Sequence, residues 1–460
     1  MKNIKYTLIL SLLMIAGLSS CDFGDTNVPP DQPADVSLSA LLPNAETTMA
    51  FNVGGEFVRF GGLLTQHFAG TNAQQIDNAR YLIREADVDG MWQNMYENAM
   101  NPLNIIIKKA TEQNAPHYRG MAKVLMAVAL GTLTDAFGDI PYSEALKADQ
   151  GITQPKYDGQ QALYGAIHTL LNEAVTDLGA ASSPGGSPKG DDVIFKGDRS
   201  LWIKAAKSLH ARYYLQTAKV NANAYTEALT ALNAGGVITS NAEDFVMNFG
   251  TAPNEPNPQY QFQQDRNGNI DIKSGVYFLD LMLNLSDPRI PSLVKFNGSY
   301  FLSSDSYYTS INSPVVFIDY AELKFIEAEA LLMSGAPIIN VEAALAAGIT
   351  ASITKITGSN NASYVSTNSA LIGLANNSAR LEKIIEQKYI AMYSHGIVPW
   401  SDYRRTGFPT LTPAANGSNA FNSNGQIPRR FPYPQTERLN NLANIPTTTP
   451  NLQARFWWDL

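Results

Sequence analysis

The chain has 460 residues, a single cysteine, 16% charged residues and a formal charge of −8. An acidic chain without a basic stripe is a poor partner for nucleic acid. Apolar residues at 45% supply a sizeable core, and one thiol allows no internal disulfide, so packing alone must hold the body together.

The first stretch, MKNIKYTLILSLLMIAGLSSC, carries Lys2 and Lys5, then an apolar run, then small residues before Cys21. That order is a signal peptide, and the cysteine at the cut makes it a lipoprotein signal. Cys21 is therefore the expected lipidation site, with residues 1–20 removed and residues 21–36 a Pro- and Asp-rich tether. A thioether-linked lipid with a second acyl chain gives stable anchoring to a membrane. Residues 37–460 are expected to be one domain. No later stretch reads as an apolar run long enough to span a bilayer.

The predicted elements then follow in order. Residues 37–53 and 56–68 have helical character, and residues 70–84 read as polar loop around Tyr81. Trp92, Met95, Tyr96 and Ala99 fall at i, i+3, i+4 and i+7, a helix face whose simplest reading is core. Residues 117–134 are apolar nearly all round, as a central packed helix would be. Asp158 with Gln161 has the spacing of a capping box for the helix that follows. Helices are predicted over residues 200–220 and 225–233. From residue 240 to 314 the period is lost. Gln259–Gln263 alternates at period two and Asn267–Gly268 suits a tight turn, so a short hairpin is expected there. Helical character returns at residues 319–334, with Asp319 and Glu322 as a capping pair, and again at 341–356 and 379–394. The helices come in short-turn pairs without a strict repeat length, which predicts a mainly α fold of degenerate tetratricopeptide-like pairs around an irregular middle.

Candidate chemistry is sparse. The five histidines show no H-E-x-x-H and no close pair in sequence, which argues against zinc and predicts no cofactor. Glu322 and Glu329 share a helix face, but a glycosidase needs two carboxyls across a cleft, so no catalytic residue is assigned. Asp265, Asn267, Asn269 and Asp271 alternate as D-x-N-x-N-x-D, which a hairpin turn explains without calcium. Aromatic residues outside helical spacing mark the expected ligand surface: Tyr81, Tyr260, Phe262, Tyr300 and Tyr307, with Phe301 and Tyr308 beside them. Asn72, Gln74 and Gln75 supply amides for sugar hydroxyls or peptide groups, and Trp92 is the member whose helical spacing favours core. Trp400, Asp402, Arg404 and Arg405 read as a structural turn with an Arg–Asp pair. Trp457 and Trp458 read as a packed plug, and Asp135 and Asp139, around the Phe137–Gly138 turn, read as loop caps.

The lipoprotein signal, GTLTDAFGDIPYSEAL (131–146), DVIFKGDRSLWIKAAKSLHAR, DYAELKFIEAEAL (319–331), EKIIEQKYIAMYSHGIVPWSDYRRTGFP (382–409) and IPRRFPYPQTE (427–437) occur in the order seen in one family. Together the chain resembles the SusD/RagB family of outer-membrane lipoproteins. The resemblance implies a tetratricopeptide-like helical fold and a place at the cell surface. It also implies capture of glycans or other nutrient oligomers for a SusC-like TonB-dependent transporter. Two readings stand beside it: a helical scaffold binding only protein, and a surface glycosidase.

Overall fold

Apolar residues recurring at the helical period become helices almost wherever the sequence shows them. The computed structural model describes residues 36–264, 272–296, 300–301, 306–446 and 452–460. Cys21, its leader and most of the tether, and the D-x-N-x-N-x-D run, lie outside the described residues. Helix α1 (Leu38–Asn52) passes through a π-helical turn, Val53–Phe57, into α2 (Val58–Leu64). Helix α3 (Pro116–Phe137) packs on α4 (Gln160–Leu178), α4 on α5 (Arg199–Gln216), and α5 on α6 (Ala224–Asn233). After the irregular middle, with α7 (Pro258–Gln264), helix α8 (Tyr320–Met333) packs on α9 (Ile338–Thr357) and α10 (Asn377–Ala391), and α11 (Val398–Thr406) follows. Residues Leu38–Leu460 form one compact unit.

Helix α3 is the spine of the core, because a helix apolar on every face has to be enclosed on every face. Only Arg119 and Thr132 along its 22 residues are not fully buried. Its length and composition would suffice to cross a bilayer, contrary to the sequence expectation, but 94% of that apolar window is buried inside the body. Gly120 and Gly131 let neighbours close on it. A Cβ at Gly131 would come within 2.2 Å of the Tyr213 hydroxyl, and one at Gly120 within 2.7 Å of Leu178.

The strands are short and pair antiparallel: β1 (Phe68–Gly70) with β3 (Ile272–Ser274), β2 (Phe245–Met247) with β6 (Val315–Ile318), and β4 (Lys295–Phe296) with β5 (Tyr300–Phe301). The middle region thus contains a short hairpin, at β4–β5. The expected strand at Gln259–Gln263 is instead helix α7. Asn257 Oδ1 accepts the Gln259 and Tyr260 amides at 2.7 and 3.3 Å, and Pro258 stands at the first helical turn. A side-chain cap followed by proline starts a helix more strongly than five alternating residues start a strand.

Two other local readings change. Asp158 does not close a capping box: its Oδ2 accepts the amides of Tyr142 and Ser143, and the amide of Gln160 goes to Asp139. Asp135 is not a loop cap but a buried anchor, accepting the Tyr164 hydroxyl at 2.6 Å and the Trp458 indole at 3.1 Å. Burial lifts its carboxyl to about 6. The Trp458 plug and the Asp319 cap on Glu322 form as the sequence predicts, with Trp458 fully buried.

The turn around Trp400 is held by charge. Arg405 pairs with both oxygens of Glu329 and with Asp402, which Lys388 also holds at 2.8 Å. All four are buried. Removing one partner from a buried pair strands the other charge in low dielectric, at a cost of about 3–5 kcal/mol. Arg405→Met should lower the stability measured by urea denaturation by about that amount, and Arg405→Lys should recover little, because an ammonium cannot grip a carboxylate with a planar fork.

Candidate functional site

A π-helical turn puts an extra residue into a helix and leaves carbonyls without their usual partners. Here the turn contains Gly54 and Gly55, and Gly55 leaves helical geometry altogether at φ −91°, ψ −106°. The carbonyls of both glycines are taken by one side chain: Gln259 Nε2 donates to them at 2.6 and 2.8 Å. That bond docks α7 onto the α1–α2 junction. Gly54 has no room for a side chain there, since its Cβ would lie 2.3 Å from Val315.

Between α7, the α1–α2 junction and a second π-helical segment (Asn94–Met100) lies a groove of about 380 Å³. Phe51 and Phe262 give it ring surface, and Asn52, Asn94, Asn98 and Gln261 give it amides. The amides are positioned. Asn52 Nδ2 donates to the Asn94 carbonyl at 3.2 Å, Asn98 Nδ2 to Asn94 Oδ1 at 2.9 Å, and Gln261 Nε2 to the Pro256 carbonyl at 2.8 Å. Phe51 stands edge-on to Phe249 at 5.5 Å. Arg59 lies 4.2 Å over the Phe262 ring and 3.8 Å from Glu56. Burial raises the Glu56 carboxyl above its ordinary value, and Arg59 opposes that rise. The two charges offset one another, so the groove offers rings and amides with no net field. Such a surface suits a neutral, hydroxylated ligand that stacks and hydrogen-bonds.

A second concavity of about 440 Å³ lies beside β2 and β6, with Tyr307, Phe195, Asn241 and Asn248 in its wall. Its charged lining is largely spoken for: Lys355 Nζ lies 2.6 Å from Asp244 and 2.5 Å from Asp319. Burial, and after it the neighbouring Asp319 charge, raise the Asp244 carboxyl to about 6, against the lowering pull of Lys355.

The residues expected at the ligand surface do not converge. Phe262 lines the first groove and Tyr307 the second. Tyr260 is half-buried on α7 and lines neither, and helical geometry puts it on a different face from Phe262. Asn72 and Gln74 are exposed near the start of the helix Ala73–Ala79, where Gln74 donates to Asp87 at 2.9 Å; Gln75 is buried. Tyr300 lies in β5. Tyr81 and Trp92 are core. Tyr81 is 1% exposed, its hydroxyl accepting the Ala414 amide at 3.0 Å under the C-terminal segment. Trp92 is packed among Tyr96, Phe137, Tyr157 and Tyr433. Phe51, Asn52, Arg59, Asn94 and Asn98 were not singled out in the sequence. The one signal for them is the Gly54–Gly55 pair inside a helical pattern, which marks a special backbone site.

Three further expectations meet the structure here. Glu322 and Glu329 do not share a cleft: Glu322, beside a cavity of about 40 Å³, bonds Arg212 through both oxygens at 2.6 Å, and Glu329 is held by Arg405. Arg405 pairs with Asp402, as the turn required, while Arg404 instead stacks on Trp400 at 3.7 Å. His168 and His210, far apart in sequence, do meet, with their Nδ1 atoms 2.7 Å apart.

These placements separate core from surface. Tyr81→Ala and Trp92→Ala should each cost about 3–5 kcal/mol in thermal or urea unfolding. Phe262→Ala, which removes a half-buried ring, should cost no more than about 1 kcal/mol.

A family model described as starch-binding proteins associating with the outer membrane matches residues 30–434. No match is found among curated proteins. A SusD homologue from Bacteroides uniformis superposes with a TM-score of 0.76 at 24% identity, covering 93% of this chain and 100% of that one. A chitin-binding SusD homologue from Flavobacterium johnsoniae gives 0.74 at 24% identity over 91% and 98%. A SusD/RagB family protein from Bacteroides thetaiotaomicron gives 0.74 at 21% identity over 92% and 99%. With the family model spanning most of the sequence and the helical body matching these structures end to end, the chain belongs to the SusD-like family of nutrient- and carbohydrate-binding proteins that associate with the outer membrane.

Proposed function

We propose that this protein captures neutral oligosaccharides at the outer membrane and passes them to a SusC-like TonB-dependent transporter, without cleaving them. The observation that carries the ligand reading is the groove of about 380 Å³ in which Phe51, Phe262 and four amide side chains surround a self-neutralised Glu56–Arg59 pair. Sugar C–H faces stack on rings, and hydroxyls and acetamido groups bond amides. Solved neighbours of the same fold include chitin-binding proteins, so chito-oligosaccharides are the first ligands to try. Aromatics buried throughout would suit a scaffold binding only protein; the half-buried rings of Phe51 and Phe262 favour a sugar ligand instead.

Calorimetric titration of chito- and malto-oligosaccharides into the chain from residue 22 onward should give dissociation constants in the range of about 10 µM to 1 mM. Phe262→Ala and Asn98→Ala should each weaken binding about tenfold at unchanged melting temperature, because each removes one stacking or hydrogen-bond contact. The affinity should change little between low and high salt, since no net charge is engaged. Full affinity in both variants would place the ligand elsewhere.

Anchoring and delivery rest on Cys21 and on the family. Cys21→Ala should shift the protein from the membrane to the soluble fraction while leaving its melting unchanged, since the lipid alone would hold it. The wild-type protein, purified in mild detergent, should bring down a large TonB-dependent barrel. Recovery of the lipoprotein without any barrel would count against the delivery step.

A further inference from the structure

The ribbon of β2 and β6 is a wall with a concavity on each side. Side chains alternate across a strand. Val246 and Val316, partners in the ladder, both line the concavity of about 440 Å³. Val315 points the other way, onto Gly54, where an added Cβ would meet it at 2.3 Å. Gly54 belongs to the α1–α2 junction, whose Gly55 and Glu56 line the groove of about 380 Å³. The alternation continues past the end of β2. Asn248 lines the larger concavity, and Phe249 stands edge-on to the groove residue Phe51 at 5.5 Å. The two spaces are therefore separate and share one thin wall.

The larger concavity repeats the chemistry of the groove with different residues. Phe195 and Tyr307 are its half-buried rings. Each is seated on buried rings: Phe195 on Trp202 and Phe245 at 5.6 and 5.7 Å, Tyr307 on Tyr308 at 4.8 Å. Asn241 and Asn248 supply amides. Asn241 Nδ2 is fixed on the Ala351 carbonyl at 2.9 Å, and Asn248 is exposed. The ionic floor is closed on itself. Lys355 Nζ lies between Asp244 and Asp319, Asp244 Oδ1 accepts the Tyr320 amide at 2.8 Å, and Asp319 Oδ2 also meets His395 Nε2 at 2.9 Å. Lys196 on the rim donates to the Val193 carbonyl at 3.2 Å. Two lysines balance two carboxylates, so nothing here calls for an ionic ligand. The rest of the wall is aliphatic, apart from Tyr308 behind Tyr307. A cavity of this size, with apolar walls, seated rings and a few polar groups, suits a neutral ligand that both stacks and hydrogen-bonds.

We propose that this concavity is a second oligosaccharide site, so that one chain holds two neutral saccharides, one on each face of the β2–β6 ribbon. The proposal rests on the reading of the protein as a saccharide binder, but on residues that the groove does not use.

The test is equilibrium dialysis of chitotriose and of maltotriose against the chain from residue 22 onward, which keeps the whole compact unit Leu38–Leu460. At saturation the protein should take up two molecules of the better sugar per chain. Phe262→Ala should weaken one of the two binding events about tenfold and leave the other unchanged. Tyr307→Ala should weaken the second event about tenfold, for loss of the ring. Because Tyr307 also rests on Tyr308, a milder variant keeps the fold intact: Asn248→Ala, at an exposed position, should weaken the second event about fivefold at an unchanged melting temperature. One molecule per chain, weakened by Phe262→Ala and untouched by Asn248→Ala, would overturn the second site and leave the groove standing. One molecule per chain, untouched by Phe262→Ala and weakened by Asn248→Ala, would uphold this site and overturn the groove. Uptake unaffected by both Asn248→Ala and Tyr307→Ala would overturn the second site, and no uptake of either sugar would overturn both.

Discussion

Two buried carboxylates on α8 organise this body. Glu322 and Glu329 are fully shielded from solvent, and each is gripped by a guanidinium from another helix: Arg212 of α5 and Arg405 of α11. Desolvating a carboxylate costs several kcal/mol, and only a paired, hydrogen-bonded partner offsets it. The arrangement therefore has one solution. Helices α5 and α11 must lie where their arginines reach α8. Further donors are used as well: Arg212 Nη2 reaches the Phe317 carbonyl at 2.6 Å, and Arg405 Nη2 reaches Asp402 at 2.9 Å, while Arg405 Nε is buried without a hydrogen-bond partner. A chain with few charges has placed several of them inside, where they dictate geometry.

The C-terminal segment is tied to the same frame. Arg404, next to Arg405, stacks on Trp400 and lies 4.8 Å from the Trp458 ring, and it donates to the carbonyls of Asp135 and Arg429. Burial among rings and carbonyls, without a carboxylate contact of its own, lowers Arg404 to about 9. Asp135 in turn holds Trp458. The central helix, the α11 turn and the last residues are thus linked through one cation and two indoles. The long tail lies on the body as part of the core, which is why Tyr81, in a loop on the sequence view, lies beneath it.

Against that fixed frame, ligand-facing geometry sits where helical regularity lapses. Both π-helical segments border the same groove, and the carbonyls freed at one of them are the reason α7 docks there. The groove amides are restrained by bonds to backbone or to each other, so little rotamer freedom remains to be lost on binding.

Local chemistry was enough to determine which stretches are helices, that the fold is mainly α, that Asp319 caps α8, and that the Trp400 turn and Trp458 are structural. Each of these depends on side-chain spacing within a few turns, and the ordered motifs of the family are themselves local. The fate of aromatics in irregular chain was not determined that way. Tyr81 is core because residues near 414–417 cover it, more than 300 positions away. Gln259–Gln263 is helical because Asn257 caps it and because two glycine carbonyls some 200 residues earlier need a donor. His168 and His210 become a pair only when α4 and α5 pack. Periodicity is a property of chain neighbours, whereas burial and polar satisfaction belong to whatever the fold brings alongside, and that is decided only in three dimensions.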